Sequence, residues 1–466
     1  MITIETQPSD FGRVYDTNRL MYKFSSTNYT EANFRFYISV GFGDITQNPV
    51  TWTSIGIVRK RPLTDGTCFF NPAELWSSYL EQNLELNTTG LVECLNSNSQ
   101  FTLAVAEEYG STPVVVGPSV VEGDTFMLYN GLQEYIPYDI EIYGGGNEQW
   151  VMTGDTVGGK YLTDAIDYKV DVYDYGSLHF IAKSADRPTH MRVKVYYTNV
   201  GVAIGNGGGL ELASYMDNSS DIEKSRNSSI SSPNITTSKD GGRGQLVPPS
   251  FKQRVSSYYD GIALSYSTTN NQMYQIPTGP KELDALGVFD HADVNDGWLS
   301  YQIDLTDGLF PTSIVYNSDP MYYYRKSKCS KYEPVQIFWL NPHGGYDTYT
   351  FYKKNYISYD VDRTTWQHRF SDTYTLGERG TTVYKTKAVE TITLNTDWLS
   401  ESESQTLSQM VMSPDVNLVY DYLGEIYKIP YVISTSKLQY KERKNEKMVS
   451  YEIEITPAWN RVSQTS

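Results

Sequence analysis

The stretch PVQIFWLNPHGGYDTYTFYKK, from Pro334 to Lys354, decides how the chain is read. A dense apolar run from Val335 to Leu340 stops at Asn341-Pro342. His343-Gly344-Gly345-Tyr346 supplies a turn, and Asp347 to Lys354 alternates apolar and polar residues. That is the pattern of two strands joined by a glycine turn. The same neighbourhood holds Cys329, Glu333, His343 and Asp347, residue types that could build a thiol nucleophile with its base, or a metal site. In a hairpin, however, Cys329 precedes the first strand, Glu333 opens it, His343 lies in the turn and Asp347 begins the return. No third group is placed to orient the imidazole, as a Cys–His pair requires. The segment reads as a hairpin, and no catalytic residue is assigned.

Period-two alternation recurs along the chain. FRFYISV sets Phe34, Phe36, Ile38 and Val40 against Arg35, Tyr37 and Ser39. MRVKVYY sets Met191, Val193, Val195 and Tyr197 against Arg192, Lys194 and Tyr196, and VSYEIEI sets Val449, Tyr451, Ile453 and Ile455 against Ser450, Glu452 and Glu454. Each predicts a strand with one buried face. Two helices are expected. In the first, Asn71 caps, Pro72 takes the first helical position, Glu74 completes a capping box and Phe70 staples to Leu75. In the second, Ser400 and Glu403 form the box, Leu407, Met410 and Val411 the apolar face, and Pro414 the stop. The predicted fold class is therefore mainly β: several Ig-like β-sandwich modules, a few short helices and one long insertion. The expected modules are 1–135, 136–328 and 329–466. The insertion, at 201–256, is rich in Ser, Asn and Gly; apart from a patch at Leu210–Met216 it lacks the apolar surface to order itself.

Composition supports this reading: 40 Tyr, 35 Gly and 20 Pro in 466 residues favour pleated surfaces and turns over helices. The net charge of −17 argues against a nucleic-acid groove, which needs a basic stripe, and suits solubility or an acidic wall along which DNA slides. Cys68, Cys94 and Cys329 are too few and too scattered for a disulfide framework or a zinc signature. The start lacks the basic and apolar regions of a signal peptide, and no run approaches a membrane span, so synthesis in a cytoplasm is expected. The sequons at Asn218 and Asn234 then carry no weight.

Several motifs resemble binding sites and yield to simpler readings. Gly154, Gly159 and Lys160 fit a phosphate loop, but Tyr161 stands where Ser or Thr must hold magnesium, and no helix is expected to follow. The glycines at Gly205–Gly209 lack a dinucleotide register. The carboxylates at Asp290–Gly297 miss the calcium-loop spacing. A polysaccharide-cleaving site would need a carboxylate pair, and Glu141, Asp171, Asp174 and Asp360 are candidates that nothing in the sequence pairs. The tip at Lys441–Lys447 holds Lys441, Arg443, Lys444 and Lys447 against Glu442 and Glu446; it reads as a solvated hairpin end or as a docking point for an acidic neighbour. No cofactor or metal is expected.

Long segments resemble structural proteins of tailed phages that infect Bacteroidales, notably the crAss-like phages. They are Cys329–Tyr356, Glu378–Val419 and Tyr451–Val462, with Ile2–Pro8, Arg19–Val40 and Cys68–Leu80 near the start and Ile276–Gly287 in the middle. The resemblance covers most of the chain outside the insertion, and it brings no catalytic residue. It implies β-sandwich modules assembled in the virion as a ring or collar of the neck or tail below the portal, formed in the host cytoplasm. The partners it implies are further copies of the chain and other neck and tail proteins, with no membrane and no specific nucleic acid. The competing expectation is a glycan-binding or glycan-cleaving tail protein.

Overall fold

The computed structural model describes residues 1–8, 12–14, 20–44, 51–131, 151–152, 159–183, 187–197, 254–266, 272–288, 298–309, 315–317, 321–325, 331–369, 372–373, 380–435 and 449–459. The chain is mainly β, as its alternation predicts, and it divides into two compact units. Unit 1 comprises Met1–Lys326 with Asn341–Asp347, and unit 2 comprises Ser327–Leu340 with Thr348–Ser466.

Unit 1 begins with two facing sheets. One is ordered β1 (Ile2–Thr6), β3 (Tyr22–Ser26), β6 (Thr67–Phe70). The other is ordered β2 (Gly12–Arg13), β10 (Phe126–Tyr129), β8 (Asn98–Tyr109), β4 (Arg35–Asp44), β5 (Thr51–Lys60), with β9 (Val114–Glu122) also on β8. Phe36, Ile38 and Val40 are buried between the sheets with Tyr22 and Phe24, as the alternation requires. Trp76 joins them, edge-on to Tyr22 and 5.1 Å from Phe101. Trp76 is held by α1, which runs only over Ala73–Ser77. Asn71 caps it as expected, its Oδ1 accepting from Ala73 N at 2.9 Å, and the Ser77 and Ser78 hydroxyls bond back to the Glu74 and Leu75 carbonyls. Such back-bonding competes with helix extension.

A second sheet pair follows in the same unit. One sheet is ordered β11 (Val151–Met152), β13 (Ser177–Ala182), β16 (Gln272–Pro277), β7 (Val92–Glu93). The other is ordered β12 (Asp167–Val170), β18 (Met321–Arg325), β17 (Trp298–Thr306), β14 (His190–Tyr197), β15 (Arg254–Ala263). Strand β15 takes up the last residues of the expected 201–256 insertion, and the rest of that insertion lies outside the described residues. Because β7 pairs with β16, and Cys94, Met127 and Tyr129 pack with Val151, Leu162, Ile181 and Met273, one unit takes in both expected modules, 1–135 and 136–328. Arg192 and Lys194, on the polar face of MRVKVYY, do not simply face solvent. Arg192 is buried against Asp304 at 3.3 Å, and Lys194 reaches the same carboxylate at 2.6 Å. A helix that the sequence reading omits, α2 (Pro280–Ala285), places Glu282 in the interior.

Unit 2 is one seven-stranded sheet, not the expected sandwich at 329–466. Its order is β20 (Tyr346–Phe351), β19 (Val335–Leu340), β23 (Val416–Tyr422), β24 (Glu425–Ile433), β25 (Glu452–Pro457), β22 (Thr381–Asn395), β21 (Tyr356–Gln367). The opening hairpin is thus present as neighbouring β19 and β20. One helix, α3 (Glu401–Met412), closes a core of Ile337, Trp339, Ile392, Leu394, Ile453 and Ile455. Its capping box forms as predicted: Glu403 N donates to Ser400 Oγ at 3.3 Å and Ser400 N to Glu403 Oε2 at 2.7 Å. Leu407 and Met410 are buried; Val411 is half-buried, and Ser404 takes the inner position, 2.5 Å from the Tyr451 hydroxyl.

Candidate interaction surface

Among the described residues, the register of unit 2 leaves a two-stranded ribbon without a covering layer. β21 and β22 pair along their whole length, from Tyr356–Thr393 to Gln367–Thr381. Only the base of β22, Ile392–Asn395, also pairs with β25. All twelve residues of β21 are exposed. Side chains alternate across a strand, so Ile357, Tyr359, Val361 and Arg363 share the face of buried Ile392, together with Glu390, Ala388 and Thr386 on β22. The opposite face carries Asp360, Asp362, Lys385 and Lys387. The core-side face of the ribbon is therefore largely apolar, interrupted by Arg363 and Glu390, yet Ile357 is 60% exposed, Tyr359 52%, and Val361 and Val383 40% each. Beyond the last row shared with β25, the ribbon runs for roughly 30 Å at about 3.3 Å per residue. A lone hairpin is marginal in water.

The β23–β24 hairpin repeats the pattern on a smaller scale. Its core-side face continues from Val416 and Leu418 to Tyr420 and Tyr422, with Tyr427 opposite Tyr420. These three tyrosines are about half exposed, and the first two stack at 6.3 Å. The turn is Leu423-Gly424, with φ of 57° and 88°. Two successive left-handed residues make a tight turn whose twist suits a hairpin. A leucine there is strained by about 1–2 kcal/mol, and its side chain is 88% exposed. Apolar surface of this extent, rimmed by charge, is a candidate contact surface.

Charge is divided between the units. Unit 1 carries 39 acidic and 22 basic residues, so the whole −17 resides there; unit 2 carries 16 of each. The apolar faces thus belong to a neutral body.

The residues singled out by chemistry do not assemble with this surface. Cys329 lies outside the described residues, and Glu333 is exposed. His343 and Asp347 are buried in unit 1 through the turn Asn341–Asp347. Asn341 organises that turn: its Oδ1 accepts from His343 N and Gly345 N, and its Nδ2 donates to the Leu162 carbonyl at 2.7 Å. His343 Nε2 meets Asp164 Oδ1 at 2.7 Å, and burial holds its pKa below the usual histidine value. Asp347 Oδ1 accepts from the Thr163 and Tyr168 hydroxyls at 2.6 and 2.7 Å. Burial pushes Asp347 up to about 6 and holds nearby His179 down to about 4. Asn341, His343 Nε2 and Asp347 Oδ1 each bond to a neighbouring loop or strand, which anchors the turn, while Asp347 Oδ2 is buried without a hydrogen bond.

The other candidates are dispersed. Gly154 is outside the described residues; Gly159 bonds Tyr316, and Tyr161 is buried with its hydroxyl 3.4 Å from the Ile303 carbonyl. Glu141, Gly205–Gly209, Asp290–Gly297 and the tip at Lys441–Lys447 are also outside the described residues. Asp171 and Asp174 belong to one turn, where Asp174 Oδ2 accepts from Asp171 N, while Asp360 is on the ribbon of unit 2. No group of three His, Cys, Asp or Glu suited to a metal occurs among the described residues, and no described helix is long and apolar enough to cross a membrane. No family model matches the chain, and a search of curated proteins finds no match.

Proposed function

We propose that the chain is a non-enzymatic structural subunit of a phage virion, a ring or collar component of the neck or tail below the portal. The observation that carries this reading is the β21–β22 ribbon, whose largely apolar core-side face is uncovered by the described residues of its own unit. Burying such a face stabilises by about 25 cal/mol per Å², so association is favourable wherever a fitting surface is offered. The sequence resemblance supplies the setting, a virion with repeated subunits. The long alternation of Tyr with polar residues suits protein contact, because Tyr covers area at low entropic cost.

A different observation favours glycan binding: Tyr356 and Trp366 are exposed on the charged face of the ribbon, where aromatic rings and carboxylates together suit a sugar. Light scattering on the purified chain, with and without host capsular polysaccharide, separates the two. Concentration-dependent multimers indifferent to the polysaccharide support the structural reading. A monomer at every concentration that binds or shortens the polysaccharide overturns it.

A further inference from the structure

We propose that His179 is an acid-sensitive latch: its neutral ring ties two separate segments, the loop at residues 83–87 and the turn Asn341–Asp347, to strand β13. The inference is independent of the assembly reading and concerns unit 1 alone. Leu178 and Phe180 of β13 belong to the core between the second pair of sheets. His179 stands between them in the strand and so faces the other way, beside Gln275, its partner across the β13–β16 ladder.

Residues 81–91 form no helix or strand, yet buried side chains of the second sheet pair hold their backbone. His179 Nε2 lies 3.2 Å from the Asn83 carbonyl oxygen. Gln275 accepts from Glu85 N at 2.9 Å and donates to the Glu85 carbonyl. Glu282 Oε1 accepts from Asn87 N at 2.8 Å. The contacts fall at every second residue, as along one edge of an extended chain. From the other side, Tyr346 N donates to His179 Nδ1 at 3.3 Å, and the Tyr346 ring lies 5.8 Å from the imidazole. A Cβ added to Gly345 would stand 3.1 Å from His179 Cβ, so the turn packs directly on this residue.

These partners fix the protonation state of the ring. A backbone carbonyl only accepts and a backbone N–H only donates, so Nε2 carries the proton and Nδ1 is bare. A second proton has only Nδ1 to go to. There it removes the acceptor of the Tyr346 N–H, sets two donors against each other and buries a charge. The ring is 2% exposed, and burial holds its pKa down to about 4 against the upward pull of the Asn83 carbonyl. The ionisable groups on the segments packed around it are Glu85 on the loop, His343, Tyr346 and Asp347 on the turn, and Asp164 beside the turn. No carboxylate among them bonds the ring: Asp164 meets His343, and Asp347 accepts from Thr163 and Tyr168.

Release of the loop and the turn returns the ring to water and to its ordinary value near 6.5. The contribution of His179 to the closed state is therefore fully present above about pH 6.5 and is lost as pH falls toward 4. Each pH unit in that interval favours the open state about tenfold, so at about pH 5 opening is about 30-fold easier. Asp347 on the turn and Glu282 against the loop act in the opposite sense, because burial raises both carboxyls, to about 6 and about 7. Gln275 does not titrate. The latch is thus read as a difference between chains that share these other groups.

Hydrogen exchange of the full-length chain, read by mass spectrometry and corrected for the intrinsic rate, tests this between about pH 7.5 and pH 5. The comparison is with His179→Gln, whose amide gains no proton in that range. Relative to the variant, peptides covering residues 83–87 and Asn341–Asp347 of the wild type are expected to open about 30-fold more at the lower pH. Peptides from β14 and β17 are expected to show no such difference. NMR of the wild-type imidazole gives a second reading that needs no variant: a bare Nδ1 and no protonation above about pH 5. If the glutamine chain is open at every pH, this ring titration decides. Parallel pH profiles in two protected chains refute the latch, and so does a ring that protonates near 6.5 while both segments stay protected.

Discussion

Replacing Asp347 with Asn is expected to change how the stability of unit 1 depends on pH. The Asp347 carboxyl is buried, and its ordinary value near 3.8 rises to about 6. The folded state therefore holds the proton more tightly than the unfolded chain. Its stabilising contribution is fully present below about pH 4 and is lost as pH rises through 6. At about 1.4 kcal/mol per pH unit, a rise of two units amounts to about 3 kcal/mol between pH 4 and pH 8. His179 acts in the opposite sense: its value falls from 6.5 to about 4, so its contribution is present above 6.5 and lost as pH falls. Both chains share His179, and the difference between wild type and variant isolates Asp347. Asn keeps an oxygen for the Thr163 and Tyr168 hydroxyls. Any fixed cost of its amide group is about 1 kcal/mol and independent of pH. Urea unfolding at pH 4, 6 and 8, with the unit 1 transition assigned by hydrogen exchange, reads the effect. The variant should gain on wild type by about 3 kcal/mol from pH 4 to pH 8. A constant difference across that range would show that Asp347 is ionised in the fold, held by its hydroxyl donors.

Gly344→Ala should destabilise unit 1 by several kcal/mol in the same assay: the residue has a φ of 86°, and an added Cβ would lie 1.8 Å from the Asn130 carbonyl oxygen. A fully stable alanine variant would mean that the turn has room to move. Leu407→Asp should prevent soluble folding of unit 2, because it puts a charge into the core under α3, whereas Glu403→Ala should cost only about 1 kcal/mol through loss of the capping box. Thermal unfolding of the full chain separates the two, and equal effects would refute the distinction between core and cap.

Much of the fold was legible because it rests on local rules. The buried row Phe36, Ile38, Val40 and the row Tyr451, Ile453, Ile455 need only alternation, and the Ser400–Glu403 box needs only a spacing of three. What was not legible depends on distant residues. The inward Arg192 and Lys194 are explained by Asp304, on the neighbouring strand but 112 positions from Arg192 along the chain. Helix α2 is six residues long and begins at Gly279-Pro280, with no side-chain oxygen at the cap; its signal is Glu282, whose carboxylate accepts from Gly279, Gly176 and Asn87 backbone N–H groups. The short α1 shows the reverse, a strong local signal cut off by serine back-bonding.

The ribbon shows most plainly where a sequence pattern stops being informative. Ile357, Tyr359 and Val361 alternate with Ser358, Asp360 and Asp362 as regularly as the core strands do. Alternation states that one face is apolar; it does not state that the same chain covers that face. Phe36, Ile38 and Val40 find Tyr22 and Phe24 across the sandwich, whereas Val361 and Tyr359 find no layer within their own unit among the described residues. The energetic requirement is the same in both cases, about 25 cal/mol for each Å² left in water. In the first the covering surface lies among the described residues of the same unit, and in the second it does not. A face of this kind, apolar by pattern and uncovered among the described residues, is what the proposed assembly would use. The division of charge is compatible with the proposed assembly: the unit that carries the ribbon is neutral, and the excess of carboxylates is confined to the other.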